Sequence, residues 1–372
     1  MNKIILLSLF IWAATTANAQ KYYVYVAAES EDEVAIVSFD GKEAKTEQRI
    51  PVGYIPKEIE GPHGITVDLD GQHWYVSMAH GNPFGQLYKY STATNELVGK
   101  TTLGLFPATL QQSKITGMLY IVNFNLHGDM VPSTVSIVDP QEMVELKRIE
   151  TGVMPHGSRI SPNGRWHYSL AMMSGELYEI DALQMKLNRT LNLDLAAGYI
   201  TETELEKIKA EEAKHEGHQD HENMYQSKVK PTWVIPHPTE RKVYVAGNGS
   251  DELLEVDLEE WSVSRRFKTG KGPYNVEISP NGKFMVSTYK SEGYTGIWDL
   301  NTGKELVRIP TTRKVCHGIA ISPDSKYAFV TAEGVGGEPG TVDVISLEEL
   351  RKVDFAEIGK QAGGIAFWKM EE

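Results

Sequence analysis

One short pattern recurs along this chain together with its surroundings, and it constrains the fold more than any other feature. It reads Pro62-His63-Gly64-Ile65, Pro155-His156-Gly157-Ser158 and Cys316-His317-Gly318-Ile319. Weaker relatives stand at Pro107-Ala108-Thr109, Pro231-Thr232-Trp233, Pro273-Tyr274-Asn275 and Ala362-Gly363-Gly364. The units so marked are spaced by roughly 40 to 50 residues, except between His156 and Thr232, where an insert lengthens the step. Each unit opens on a short apolar strand, passes a turn pair, and continues into a second strand, a loop and two more strands. The turn pairs Asp70-Gly71, Asn163-Gly164 and Asn281-Gly282 tolerate the positive φ angles of a two-residue hairpin, and Asp324-Ser325 and Thr116-Gly117 are looser versions. Four-stranded units at this period predict an all-β chain folded as a seven-bladed β-propeller.

The two ends of the chain fit a closed ring. The last unit holds one strand, residues 365–368, whereas the N-terminal region supplies strands at 22–27, 33–39 and near 46–50 with no inner strand before them. One plus three completes a blade, and pairing the N- and C-terminal strands removes the edges an open ring would expose. Ahead of these strands, Lys3, the apolar run 4–12 and Ala17-Asn18-Ala19 read as a signal peptide cut after Ala19. The expected organisation is therefore a leader, residues 1–19, and a propeller, residues 20–372, with an insert at about 196–230. A leader implies a periplasmic or secreted protein. No other stretch approaches the roughly 18 apolar residues of a membrane span.

A net charge of −13 with scattered basic residues would repel a phosphate backbone, so nucleic acid is not an expected partner. The single cysteine, Cys316, excludes an internal disulfide, and stability has to come from core burial. No Gly-x-Ser-x-Gly elbow, phosphate-binding glycine loop or Cys-x-x-Cys-His motif is present, and nothing marks a nucleophile or general base.

The segments Tyr22-Tyr23-Val24-Tyr25-Val26, Lys242-Val243-Tyr244-Val245-Ala246 and Tyr327-Ala328-Phe329-Val330-Thr331, the last after Pro323-Asp324-Ser325, resemble the YVTN-type repeats of secreted bacterial seven-bladed propellers. The resemblance spans about residues 21–369. It implies the fold, and a superfamily that includes adhesion modules and the propellers of amine dehydrogenases, haem d1 proteins and nitrous oxide reductase. The unit at Pro107 departs from the pattern, because Leu110-Gln111-Gln112-Ser113-Lys114 replaces an apolar strand followed by Pro-Asp-Gly.

In a propeller, the starts of the inner strands and the loops between second and third strands share one face. The starts carry His63, His156 and His317, and the loops carry His80 and His127. The insert, which emerges on the same side, adds His215, His218 and His221, leaving His73, His167 and His237 near the other face. Neutral imidazole is a good ligand for copper, zinc or iron, and separate blades can converge on one ion where one strand cannot. The resemblance points the same way, since nitrous oxide reductase places channel-mouth histidines around copper and haem d1 propellers use histidines near that opening. Met78, Met130, Met154 and Met224 map near this face and suit copper(I), or serve as core gap-fillers. Equally, each Pro-His-Gly histidine can be structural, bonding a neighbouring blade's carbonyl while the glycine relieves crowding at the axis. Cys316 reads as a buried inert thiol or a soft ligand beside His317.

In the insert, residues 201–214 have helix-forming composition, with Leu205 and Ile208 as a narrow apolar stripe, so an amphipathic helix is predicted until Gly217, lying across the top face as a lid. His215-Glu216-Gly217-His218-Gln219-Asp220-His221 has the density of a metal-gathering loop, but not the His-Glu-x-x-His spacing of zinc proteases.

The sequence thus points to an exported binding or accessory protein whose histidine-rich face takes a transition metal, copper favoured, or a metal-containing cofactor such as haem iron, with another periplasmic protein as a candidate partner. A periplasmic oxidoreductase using copper or a haem-like group is the first alternative. A metal-free module for protein or glycan contacts is the second.

Overall fold

A computed structural model describes residues 20–55, 57–80, 84–212 and 225–371. They form seven four-stranded antiparallel sheets arranged as the blades of a propeller. The inner strands are Pro62–Val67, Pro107–Gln112, Pro155–Ile160, Pro231–Pro236, Pro273–Ile278, Val315–Ile321 and Ala362–Glu371, each packed against the next around the axis. The expected closure is present: Ala362–Glu371 pairs with Lys21–Ala28, with Tyr25 opposite Ala366 and Val26 opposite Ile365. Trp368 sits 4.9 Å from the Tyr25 ring, and Tyr25 stacks 5.1 Å from Trp74 of the next blade, so the closing strand is also held by packing.

Alternation along each strand sends apolar side chains to both faces of a blade, and the core lies between neighbouring blades rather than at one centre. Val24, Val26 and Phe39 of the closing blade pack against Phe329, Val342 and Val344 of the blade before it, and Tyr25 and Val34 pack against Trp74 and Val76 of the blade after it. Met78 belongs to this second cluster, which makes it core rather than ligand.

The glycine of the His-Gly pattern lets inner strands approach closely. A Cβ on Gly64 would lie 1.9 Å from the Ala108 carbonyl oxygen, and one on Gly157 would lie 2.2 Å from that of Thr232.

The turns differ from expectation. In the Asp70-Gly71, Asn163-Gly164 and Asn281-Gly282 pairs only the glycine has positive φ, at 71°, 80° and 70°. Each glycine N–H donates to the carbonyl three residues earlier (Asp68, Ser161 and Ser279), so the loop is a four-residue turn ending in a left-handed residue. Ser325 takes that conformation in the last such loop.

The irregular unit keeps its strand for a polar reason. Oε1 of Gln111 accepts from the Ile160 N–H at 2.7 Å, and Oε1 of Gln112 accepts from the Leu69 N–H at 2.9 Å, tying it to both neighbouring blades.

The insert leaves the ring through a short helix, Leu193–Ala196, and continues in a helix at Glu202–Glu212. Thr201 and Glu204 cap the second helix reciprocally: the Glu204 N–H donates to Thr201 Oγ1 and the Thr201 N–H donates to Glu204 Oε2. Its Leu205 and Ile208 are only half-buried. Buried Asp194 clamps the two ends of the insert, accepting from the Val229 and Lys228 N–H groups and the Tyr225 hydroxyl. His215, His218, His221 and Met224 lie outside the described residues. Among the described residues no helix is long and apolar enough to cross a membrane.

Candidate metal centre

Three inner strands deliver His63, His156 and His317 to the axis. These rings are buried, and one ligand nitrogen from each lies within 4.8 Å of the other two. The ring centroids of His63 stand 5.7 Å from those of both His156 and His317. Residues immediately before six of the inner strands, Gly61, Phe106, Met154, Lys230, Gly272 and Gln361, are left-handed, which turns the chain sharply into the strand. Phe106 and Met154 bear that conformation without being glycine, at a typical strain of about 1 kcal/mol or more, and so keep side chains at the mouth.

Each triad ring has a distinct hold. His63 Nδ1 bonds Glu29 Oε2 at 2.8 Å, which leaves Nε2 as its ligand nitrogen. His156 Nδ1 faces the Thr232 carbonyl at 3.4 Å, and its Nε2 is met by the Tyr274 hydroxyl at 3.0 Å. Nδ1 of His317 is buried with no hydrogen-bond partner among the described residues.

Glu29, in a 3-10 turn that follows the first strand, also bonds His80 Nε2 at 2.6 Å. A carboxylate behind a ligand imidazole fixes the tautomer and raises ring basicity. His127 is exposed. It lies 5.3 Å from His80 and 5.3 Å from Phe106, whose ring is also 5.2 Å from His63. The structure therefore gathers His63, His156 and His317 into one triangle, with His80 behind it through Glu29 and His127 at the outer rim.

Burial sets the protonation states. It pushes His156 down to about 3, helped by His63 and Lys290, and holds His317 well below the ordinary imidazole value, so both rings are neutral at pH 7. Burial alone would raise the Glu29 carboxyl, but His63 and His80 outweigh it and bring the group down to about 2, and the Glu29 bond in turn raises His80. Lys290 stands 4.3 Å above the Tyr274 ring and 3.3 Å from Glu333, which adds an ion pair beside the triad.

Cys316 corrects the soft-ligand reading. Its thiol lies in the interblade core, directed to the Tyr294 carbonyl at 3.4 Å, and burial pushes it up to about 12. His73 pairs with Asp68 at 2.9 Å at the opposite end of its blade, His237 caps the turn after it by accepting from the Glu240 N–H, and His167 is fully buried against Tyr120.

Sequence reasoning missed Glu29, Lys290 and the polar role of Tyr274. Tyr274 was open to detection, since it occupies the repeat position of the three histidines. Glu29 and Lys290 share one repeat position, the residue that follows the second strand, where Ala79, Phe124, Met172 and Asn248 stand in other units, so aligning those loops would have found them.

No protein-family model and no curated protein matches the chain. Solved structures share its fold: hydrazine synthase from Kuenenia stuttgartiensis aligns at 20% identity and a TM-score of 0.59 over 80% of this chain and 81% of that one. A protein of unknown function from Desulfotomaculum acetoxidans aligns at 13% identity and a TM-score of 0.66 over 93% of this chain and 98% of the other. At these identities the likeness is one of fold.

Proposed function

We propose that this protein is an exported propeller that binds a transition-metal ion at the channel mouth through His63, His156 and His317, and that it acts in metal binding or delivery, copper being favoured and zinc the next choice. The observation that carries this reading is the convergence of three imidazoles from three separate blades, two kept neutral by burial and the third oriented by the Glu29 carboxylate. His80, held by Glu29, and His127, at the rim, belong to the approach rather than to the triangle of ligands.

The same geometry speaks against haem at the triad. A macrocycle fills the equatorial positions of its iron, and three imidazoles this close to one another leave it no plane to occupy.

Protein purified without a histidine tag is expected to carry, or to take up, about one equivalent of copper or zinc per chain. Absence of metal by elemental analysis, together with no heat in titrations of the metal-free protein with either ion, would leave the three histidines structural.

A further inference from the structure

The inner side of the histidine triangle opens onto a small cavity in the channel. His63 and His317 form part of its wall, with Asn275, Trp233, Thr109 and Arg159 further in. Its size, ≈ 30 Å³, is telling. A single water needs about 10–15 Å³, so the space suits a molecule of two or three heavy atoms.

The chemistry of the wall is equally narrow. At the level just below the histidines the repeat places Gly64, Gly157, Gly318 and Gly364, and only Thr109, Trp233 and Asn275 present side chains. Thr109 is satisfied, since its hydroxyl bonds the His156 carbonyl at 2.7 Å and Ser158 Oγ at 3.0 Å. Asn275 is not. It has no exposed surface, yet neither Nδ2 nor Oδ1 has a partner among the described residues. Burying an amide in that state costs about 1–3 kcal/mol, whereas a leucine of similar volume at the same position would cost nothing of the kind. One level deeper, Arg159 closes the space: Nε bonds Glu277 Oε1 at 2.9 Å, Nη1 bonds the Ser158 carbonyl at 3.0 Å, and the guanidinium lies 4.6 Å from the Trp233 ring.

We infer that this cavity is the site of a second, exogenous ligand: a small polar molecule or anion of two or three heavy atoms, one end on the metal held by the triad and the other on the Asn275 amide. This rests on the metal reading above and adds the class of molecule that completes the site. The amide offers a donor and an acceptor side by side, above an Arg159 guanidinium already paired with Glu277. No bond is made or broken in the step. A ligand takes an open position on the metal and pairs the Asn275 amide.

Azide, a linear triatomic anion with lone pairs at both ends, is the probe. Copper-loaded wild-type protein titrated with azide should show a saturable change in its visible and electron paramagnetic resonance spectra. Asn275→Leu, which keeps the volume and removes both polar atoms, should weaken azide binding tenfold or more at unchanged copper stoichiometry, in a protein at least as stable as the wild type. Asn275→Ala provides the same comparison should the leucine variant not fold. Equal azide affinity in wild type and variant, or a copper-loaded wild type that azide does not perturb, overturns the inference and leaves the triad as a metal site. A protein that takes up no copper overturns both.

Discussion

The Tyr274 hydroxyl lies 3.0 Å from Nε2 of His156 and donates into the lone pair that a metal would use. The phenol therefore competes with the ion. A hydrogen bond of this kind is worth about 0.5–1.5 kcal/mol, so Tyr274→Phe is expected to tighten metal binding by roughly two- to tenfold in calorimetric titrations. Weaker binding by the variant would make the phenol a ligand rather than a competitor.

Acid should destabilise the metal-free protein in two overlapping stages. His156 falls from an ordinary value of 6.5 to about 3 on folding, so its stabilisation is complete above pH 6.5 and is lost as pH falls towards 3. Glu29 falls from 4.5 to about 2, and its contribution is lost over that lower range. His80, whose value folding raises, contributes in the opposite sense, below 6.5, and its partial exposure makes it the smaller effect. The buried neutral imidazoles dominate together: His156, His167, which burial also pushes down to about 3, and His317, held well below its ordinary value. Melting temperature should fall steadily from pH 7 to pH 4, and His156→Phe should flatten that slope. An unchanged slope would show that His156 is not held neutral by the fold.

His167 is a contrasting case. Both of its ring nitrogens are buried without partners among the described residues, and its ring stacks 5.1 Å from Tyr120. Phenylalanine keeps the stack and removes the two unsatisfied atoms, so His167→Phe should stabilise the protein by about 1–3 kcal/mol with metal binding unchanged. A lower melting temperature would contradict this reading of the site.

Ring closure is tested at the C-terminus. Removing residues 363–372 deletes most of the strand paired with Lys21–Ala28 and the Trp368 contact with Tyr25. The truncated chain should lose its cooperative thermal transition or melt well below the full chain. Equal melting temperatures would mean that the strand does not close the ring.

Much of this architecture was legible because a propeller repeats itself. The His-Gly pattern gave the unit, its recurrence gave the number of blades, and the shortage of an inner strand at one end with its surplus at the other gave the closure between Lys21–Ala28 and Ala362–Glu371. Repetition also placed His63, His156 and His317 on one face, because equivalent positions in a ring must converge on the axis. What repetition could not show are the parts that occur once. Glu29 and Lys290 stand at equivalent positions after the second strands of their blades, but the carboxylate and the ammonium each occur once there, and their contacts with His63, His80 and Tyr274 follow from no repeat. Turn geometry was misread for a local reason: the residue before each glycine stays right-handed because the loop is two residues longer than a tight hairpin. The thiol of Cys316 was ambiguous because adjacency to His317 along a strand sends the two side chains in opposite directions.

The central claim is that His63, His156 and His317 act as one site, and the most direct measurement is isothermal titration of the metal-free protein with copper(II) in wild type and single alanine variants. The account predicts one tight site per chain, weakened at least tenfold by His63→Ala, His156→Ala or His317→Ala and unaffected by His73→Ala, whose ring lies at the other end of its blade bonded to Asp68. A site that survives all three substitutions, or the lack of any site in the folded wild type, would contradict it.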